Sequence, residues 1–325
     1  MRGYLPYLSF DIPAFFRVLL GPRADVAVVE PPPTTGTVVR VACAIRRVPY
    51  VYYAADLVSV AAEATSAPRI VVRLVRALEA WSLGGARAVL AVTEGVATTV
   101  RALSPGARVT AVGHGVDDET FNPAVAPEPA AHVVYIGTAS EWHGAGVFID
   151  ALAIARARGH AITALFVGQG GEWDELKERT RQLGLDDLVR FRDQVPAPVA
   201  ARLIRGARAA LASIREGGGY DFAVPTKAYA ALAVGTPVIY AGPDPVRSLV
   251  IDNDLGAGTA WDVEPVAAAL IETASAEPSA ERRAGVAAWA ARNLSGRAVA
   301  RRAADATLAA VDSPRFARGR RGRAR

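Results

Sequence analysis

Short apolar runs alternate with amphipathic helical stretches along most of the chain. The runs are rich in Val, Ile and Ala and do not alternate with polar residues, which is typical of parallel strands covered on both faces. The predicted strands are Ala24–Val29, Val48–Tyr53, Ala86–Val92, Val109–Val112, Val133–Ile136, Ile162–Val167, Leu188–Phe191, Ala207–Ser213 and Pro237–Tyr240. Predicted helices between them are Pro68–Leu83, Gly146–Ala157, Trp173–Leu183 and Pro198–Gly206. Repeated strand–helix units predict a doubly wound α/β fold with parallel sheets.

A proline-rich stretch divides this pattern into two halves. Residues 121–131 contain three prolines and few large apolar side chains, which is typical of a linker. Both halves have the α/β pattern, and 325 residues suffice for two domains. We predict a first Rossmann-like domain at 1–125, a second at 126–295, a helix at 296–313 and a basic tail at 314–325.

Composition excludes several classes of protein. Hydrophobic residues make up 51% of the chain, which supports a core and excludes disorder over its whole length. The single cysteine, Cys43, excludes an internal disulfide framework or a cysteine zinc site and favours a reducing compartment, so we expect a cytoplasmic protein. The four scattered histidines predict no metal cluster. The best candidate for a membrane span, residues 4–20, contains two prolines and two charges, so we expect no transmembrane helix.

The basic charge is concentrated at the C-terminus. The net charge is +5, but residues 315–325 alone contain six arginines and no acid, so the remainder is near neutral. Such a tail is either a solvated end or attracts an anionic surface. We expect no nucleic-acid partner and leave peripheral membrane contact through the tail as an alternative.

The densest group of unusual residues is the segment 215–227. It follows a predicted strand, precedes a helix that runs to Val234, and combines an acid, three glycines, an aromatic residue and one of only two lysines. Consecutive glycines allow backbone N–H groups to approach a ligand, and a helix start attracts anions. The alternative is a plain flexible loop.

Two further glycine clusters also follow strands. Residues 137–144 combine glycine, hydroxyl groups, Trp142 and His143 before a helix, whereas Gly168–Gly171 is a weaker signal, typical of a tight strand-to-helix turn. Since ligands of open α/β sheets bind beyond the carboxyl ends of the strands, these loops are candidates for one site.

The order of these segments resembles the retaining glycosyltransferases of the GT-B fold, family four (glycosyl transferases group 1). The resemblance covers roughly residues 24–312. The matching segments are Val89–Gly95, Gly113–Asp117, Phe121–Pro123, Tyr135–Gly137, Trp142–Gly144, Phe166–Gly170, the loop at Glu216 and Ala233–Ile239. It implies two Rossmann-like domains facing a cleft, with a nucleotide sugar in the second, an acceptor in the first, and a C-terminal helix near Ala298–Val311 that crosses back.

The resemblance also implies an activity and its residues. The expected enzyme moves a sugar from a nucleotide-activated donor with retention of configuration, without a metal or cofactor. Its acceptor is a glycan, a lipid-linked molecule or a small molecule, as in cell-envelope glycan biosynthesis. The expected catalytic residues are Glu216, beside the donor sugar, and Asp56, at the acceptor. The expected donor-binding residues are Gly137, Thr138, Ser140, His143, Arg215, Gly217, Gly218, Gly219, Lys227 and Tyr229.

The chain departs from the family pattern within the donor site. Ala230 stands where the family has a second glutamate, which usually holds the ribose. Thr138 and His143 stand where an arginine and a lysine often grip phosphate. His143 would replace the lysine if a neighbouring diphosphate raised its pKa, and Lys227 or Arg215 would be the other sources of charge.

The first domain is also shorter than the family pattern. Two or three strand–helix units are expected to be missing before Asp25, so we expect a truncated first domain. Asp56 is the nearest polar substitute for a family histidine, and a helix N-cap is an equal alternative role for it. The rival functions are a non-catalytic or fragmentary GT-B protein that binds a nucleotide without transfer and, more weakly, an epimerase acting on the same donors.

Overall fold

The computed structural model describes residues 5–63, 68–217, 220–221 and 223–312. These residues form two units, each built around one parallel β-sheet. The first unit runs to His114 and resumes at Ala298, and the second comprises Gly115–Arg297. The predicted two-domain α/β architecture is therefore confirmed. The proline-rich stretch lies inside the second unit, and the basic tail lies outside the described residues.

The first unit contains a four-stranded parallel sheet in the order β1-β2-β3-β4. The strands are β1 (Ala27–Val29), β2 (Tyr50–Ala54), β3 (Val89–Ala91) and β4 (Val109–Ala111). The helices are α1 (Leu5–Leu20), α2 (Pro33–Arg46), α3 (Val58–Glu63), α4 (Arg69–Gly85) and α5 (Glu94–Leu103). All four strands coincide with predicted apolar runs. The central strands β2 and β3 are the most buried, as expected for strands that are covered on both faces.

The apolar N-terminal segment forms α1, which packs on α2. Asp11 of α1 is buried and accepts a hydrogen bond of 2.5 Å from the Thr35 hydroxyl, near the start of α2. A carboxylate is favourable there because helix N-termini carry partial positive charge. Within the described ranges, no helix combines the length and the apolar character needed to cross a membrane.

The second unit contains a six-stranded parallel sheet in the order β10-β9-β8-β5-β6-β7. Its strands are β5 (Val133–Thr138), β6 (Ala164–Gln169), β7 (Val189–Arg192), β8 (Ala209–Ser213), β9 (Val238–Ala241) and β10 (Gly256–Thr259). Its helices are α6 (Gly146–Ala157), α7 (Trp173–Gln182), α8 (Ala197–Gly206), α9 (Thr226–Ala233), α10 (Val246–Asp252), α11 (Val263–Ala274) and α12 (Ala280–Asn293). A last helix, α13 (Gly296–Asp312), belongs to the first unit from Ala298 onward.

The strand order of the second unit creates a crevice. From β5 the chain winds outward through β6 and β7, and it then returns to β8 on the other side of β5. The loops after β5 and β8 therefore lead to opposite faces of the sheet and leave a gap at its carboxyl edge. Ligands of doubly wound folds bind at such a switch point. Two buried apolar clusters cover the faces of this sheet.

Candidate active site

A cavity of about 700 Å³ opens at the switch point between β5 and β8. All of its lining residues belong to the second unit. They are Gly115, Val116, Asp117, Phe121, Ile136, Gly137, Thr138, Ser140, Trp142, His143, Ala200, Ile204, Val224, Pro225, Thr226, Lys227 and Ala230. Its volume is in the range of small-molecule sites, and its walls combine apolar side chains with a few polar groups, as such sites do.

Glycines allow the ends of β5 and β6, and the residues that follow them, to approach each other backbone to backbone. Gly168 has φ +144°, and a Cβ built there would lie 2.1 Å from the carbonyl oxygen of Gly137. Gly170 has φ +146°, and its Cβ would lie 1.9 Å from the carbonyl oxygen of Ala139. Only glycine fits these positions. The cluster Gly168–Gly171 therefore has a structural role, as expected for a tight turn.

His143 is fixed within its own loop as a neutral imidazole. Its Nδ1 accepts a hydrogen bond from the backbone N–H of Ser140 at 3.3 Å and lies 2.7 Å from the Ser140 hydroxyl. Since Nδ1 accepts, the ring proton is on Nε2. Burial, followed by the charge of Lys227, lowers the pKa of His143 to about 3. Without a ligand the imidazole is therefore neutral near pH 7, and a His143 charged by a neighbouring diphosphate stays a prediction.

Trp142 connects the loops after β5 and β8. Its ring stacks on His143 at a centroid distance of 3.6 Å and on Tyr220 at 4.7 Å. Its carbonyl oxygen accepts a hydrogen bond of 2.9 Å from the backbone N–H of Arg215. The two loops therefore form one wall, although the sequence separates them by about 75 residues.

Lys227 is the cation of the cavity. It lies in the first turn of α9, and its Nζ donates hydrogen bonds to the Tyr135 hydroxyl at 2.5 Å and to the Thr138 carbonyl oxygen at 2.9 Å. Burial lowers the pKa of Lys227 to about 7. No carboxylate is among the described partners of Lys227, and its Nζ also lies 4.0 Å from the centroid of the Tyr135 ring, so only neutral groups compensate its charge.

Glu216 and Gly217 follow β8 but are not among the residues that line the cavity. The Glu216 side chain is exposed, and the Gly217 N–H donates to the Asp221 carboxylate at 2.9 Å. Gly218 and Gly219, both predicted to bind the donor, lie outside the described residues. The exposed Arg215 guanidinium lies 5.2 Å from the Trp261 ring centroid, outside the cavity lining.

The remaining predicted residues, Tyr229 and Asp56, do not line the cavity. Tyr229 is buried in the core of the second unit and is not part of the cavity lining, while its neighbour Ala230 is. Asp56, in the first unit, is exposed and accepts a hydrogen bond of 2.7 Å from the Leu57 N–H.

Glu79, and not Asp56, caps the N-terminus of α3. Glu79 is buried, and its carboxylate accepts hydrogen bonds from the N–H groups of Val58 and Ser59 at 3.0 and 3.2 Å. The helix start that Asp56 was a candidate to cap is therefore already satisfied by a residue of α4.

The sequence did not single out two parts of the cavity wall as ligand contacts. One is the segment from Gly115 to Phe121, whose glycine and aspartate were noted only as a motif. The other is the face of α8 that presents Ala200 and Ile204. Small and apolar side chains carry no chemical signal of their own, so only the fold places them at the site.

A smaller cavity of about 120 Å³ adjoins the first and shares Ile136, Gly137 and Thr138 with it. Its distinctive groups are two carboxamides, Gln169 at the end of β6 and Gln194 after β7. No group of three or more potential metal ligands occurs among the described residues.

Family models match both units. Residues 130–275 match the model described as glycosyl transferases group 1, and residues 2–115 match the glycosyl transferase 4-like domain. No curated protein sequence matches the chain significantly.

Several solved structures share the fold. HepE (Alr3699) from Anabaena, in complex with UDP-glucose, has a TM-score of 0.68 and 19% identity over 88% of this chain and 79% of that one. Sucrose-phosphate synthase from Thermosynechococcus elongatus has a TM-score of 0.72 and 16% identity, with coverages of 94% and 79%. AviGT4, involved in avilamycin A biosynthesis, has a TM-score of 0.61 and 18% identity, with coverages of 91% and 77%.

Fold and family agree for both domains. The four-stranded unit corresponds to the 4-like model, and the six-stranded unit with its cavity corresponds to the group 1 model. This chain is a GT-B glycosyltransferase, with a glycosyl transferase 4-like first domain and a glycosyl transferases group 1 second domain.

Proposed function

We propose that the protein transfers a sugar from a nucleoside-diphosphate sugar to an acceptor hydroxyl, with retention of configuration and without a metal ion. The observation that carries this proposal is the cavity at the β5/β8 switch point, with Lys227 in its wall. The similar fold of HepE from Anabaena supports a nucleotide-sugar donor, because that structure contains UDP-glucose.

The diphosphate would lie against the start of α9. The unpaired N–H groups of a first helical turn attract anions, and Lys227 adds a positive charge there. The Nε2–H of His143 is a further donor in the same wall. These groups would stabilise the charge that develops on the leaving diphosphate, which is the role a metal ion has in other transferases.

The nucleobase would occupy the adjoining cavity. The carboxamides of Gln169 and Gln194 each offer both a donor and an acceptor, which suits the edge of a base. In this arrangement the diphosphate reaches from the smaller cavity past Thr138 towards Lys227.

The transfer breaks the bond between the anomeric carbon and the β-phosphate oxygen. A bond from the acceptor oxygen forms on the same face of that carbon, and the acceptor proton passes to the departing diphosphate. Glu216 would stabilise positive charge on the sugar, and Asp56 would orient the acceptor hydroxyl, which we take to be part of a glycan, a lipid-linked molecule or a small molecule. We place the reaction in the cytoplasm, because nucleotide sugars are available there as donors.

The proposal is tested by screening sugar nucleotides and candidate acceptors in the presence of EDTA, with NMR of the product. We expect a glycoside whose anomeric configuration is that of the donor. An inverted product would exclude retention, and a requirement for a divalent cation would exclude the metal-free mechanism.

A non-catalytic nucleotide-binding protein is the second candidate. It is favoured by Ala230, which lines the cavity at the position where the family pattern has a glutamate. Tight binding of a sugar nucleotide without turnover, in the presence of every acceptor tested, would support this candidate. Turnover of the donor to an altered sugar nucleotide without any acceptor would indicate an epimerase.

A further inference from the structure

The exposed large apolar side chains of the described residues concentrate on one layer of helices in the first unit. Helix α2 packs on both α1 and α4. The exposed apolar residues of this layer are Phe10, Ile12, Phe16 and Leu20 of α1, Val41 and Ile45 of α2, and Ile70, Leu74 and Trp81 of α4. Concentrated apolar exposure of this kind marks an interaction surface.

Helix α4 gives this surface a regular pattern. Ile70, Leu74 and Trp81 are spaced four and seven residues apart, so they form one stripe along the helix. Ile70 is 71% exposed and Leu74 60% exposed. The buried side of the same helix contains Val75, Glu79 and Leu83, so the exposed stripe is not the face that packs inside the unit.

A stripe of arginines runs beside the apolar one. Arg69, Arg73 and Arg76 are spaced four and three residues apart, so they also share one side of the helix, and all three are exposed. The Arg40 guanidinium of α2 lies 4.0 Å from the Trp81 ring centroid and connects the two helices at this face.

The layer has no exposed negative charge. The only acids in the sequences of α1, α2 and α4 are Asp11 and Glu79, and both are buried with hydrogen-bond partners inside the unit. The charged side chains that these three helices expose are therefore all cationic and lie beside apolar ones, which suits an occupant that is apolar and anionic.

We propose that this face of α4, with the adjoining parts of α1 and α2, binds the surface of an anionic lipid membrane. A lipid bilayer combines both required properties, since acyl chains accept Ile70 and Leu74 while phosphate headgroups pair with the arginines. Arginine side chains bury their stems and keep their charges at the headgroups, and tryptophan favours the same interface. A second copy of the chain fits less well, because a symmetric contact would place the arginine stripes of the two copies against each other.

Cosedimentation of the full chain with vesicles tests this proposal. We expect binding to vesicles of phosphatidylcholine mixed with phosphatidylglycerol and much weaker binding to phosphatidylcholine alone. The double variant Arg69→Gln/Arg73→Gln should lower the partition coefficient roughly thirtyfold, because two charges leave the anionic surface. The control Arg192→Gln/Arg292→Gln removes the same charge from exposed positions of the second unit and should bind like the wild type. All variants retain the arginines of 315–325, so the tail contributes equally to each.

The apolar stripe gives an independent readout. Ile70→Gln/Leu74→Gln should also weaken vesicle binding, and quenching of tryptophan fluorescence by brominated lipid should decrease in Trp81→Phe. The proposal is wrong if the wild type does not bind the mixed vesicles, or if the α4 arginine variant and its control lose binding equally. It is also wrong if Ile70→Gln/Leu74→Gln abolishes a dimer in solution while vesicle binding is unchanged, which would assign the face to a second copy.

Discussion

The side-chain nitrogen of Lys227 lies 2.9 Å from the carbonyl oxygen of Thr138, so the start of α9 is tied to the end of β5. These two elements flank the switch point of the sheet, and both residues line the larger cavity. Among the residues that the structure describes, all hydrogen-bond partners of the lysine side chain are neutral. A bound diphosphate would supply the negative charge that this position lacks.

Replacement of Lys227 should weaken nucleotide binding. Lys227→Met should raise the Kd for the preferred nucleoside diphosphate about 10- to 100-fold, the range for loss of a charge-assisted hydrogen bond. The melting temperature should change little, because a half-buried cation without a carboxylate partner contributes little to folding. Lys177→Met is the matched control, since Lys177 is the only other lysine and does not line the cavity. Calorimetry that gives the same Kd for both variants would remove Lys227 from the site.

Nucleotide binding should take up a proton near neutral pH. Burial lowers the pKa of Lys227 to about 7, so the amine is increasingly neutral above that pH. A diphosphate favours the charged form and raises this pKa in the complex. Affinity should therefore fall as the pH rises from about 7 towards 9, by up to about tenfold per unit. Calorimetry in buffers of different ionisation enthalpy would count the proton, and Lys227→Met should abolish its uptake.

His143 should not contribute to this pH dependence. Its pKa is lowered to about 3, so the imidazole stays neutral throughout the range in which Lys227 titrates. His143→Asn should bind the nucleotide less tightly, because the stack with Trp142 is lost, but its affinity should follow the same pH curve as the wild type. If the asparagine variant alone lost a step between about pH 6 and 8, the complex would contain a charged His143 after all.

Glu216 should act on the chemical step more than on donor binding. Its carboxylate is exposed and does not line the cavity, so we expect Glu216→Ala to leave the donor Kd nearly unchanged. Turnover should drop sharply, because charge on the sugar develops only in the transition state. The exposed Glu272 of α11 provides the control variant Glu272→Ala. Equal losses in affinity and turnover would indicate a contact with the ground state instead.

Most of the fold could be predicted because buried parallel strands have a clear apolar pattern. β5, β6 and β8 were all located within three residues at each end. β10 was missed because Gly256–Thr259 contains two glycines and no large apolar residue, and it becomes a strand only by pairing with β9. Helix α1 was recognised only as an apolar segment, because Pro13 within it is unfavourable in a helix interior.

The candidate site could be predicted only in part, because sequence spacing does not specify side-chain direction. Lys227 and His143 line the cavity, whereas Tyr229, two residues from Lys227, points into the core. The protonation state of His143 depends on burial and on a lysine 84 positions away, which no local pattern contains. Glu79 likewise caps α3 from a neighbouring helix.

The central claim is transfer from a nucleotide sugar through the β5/β8 cavity. Its most direct test measures nucleoside diphosphate released from a panel of sugar nucleotides, with candidate acceptors and EDTA, by the wild type and by Glu216→Ala and Lys227→Met. We predict acceptor-dependent release from at least one donor, with lower turnover in Glu216→Ala and a raised donor KM in Lys227→Met. Absence of release from every donor, or release that neither substitution changes, would contradict the account.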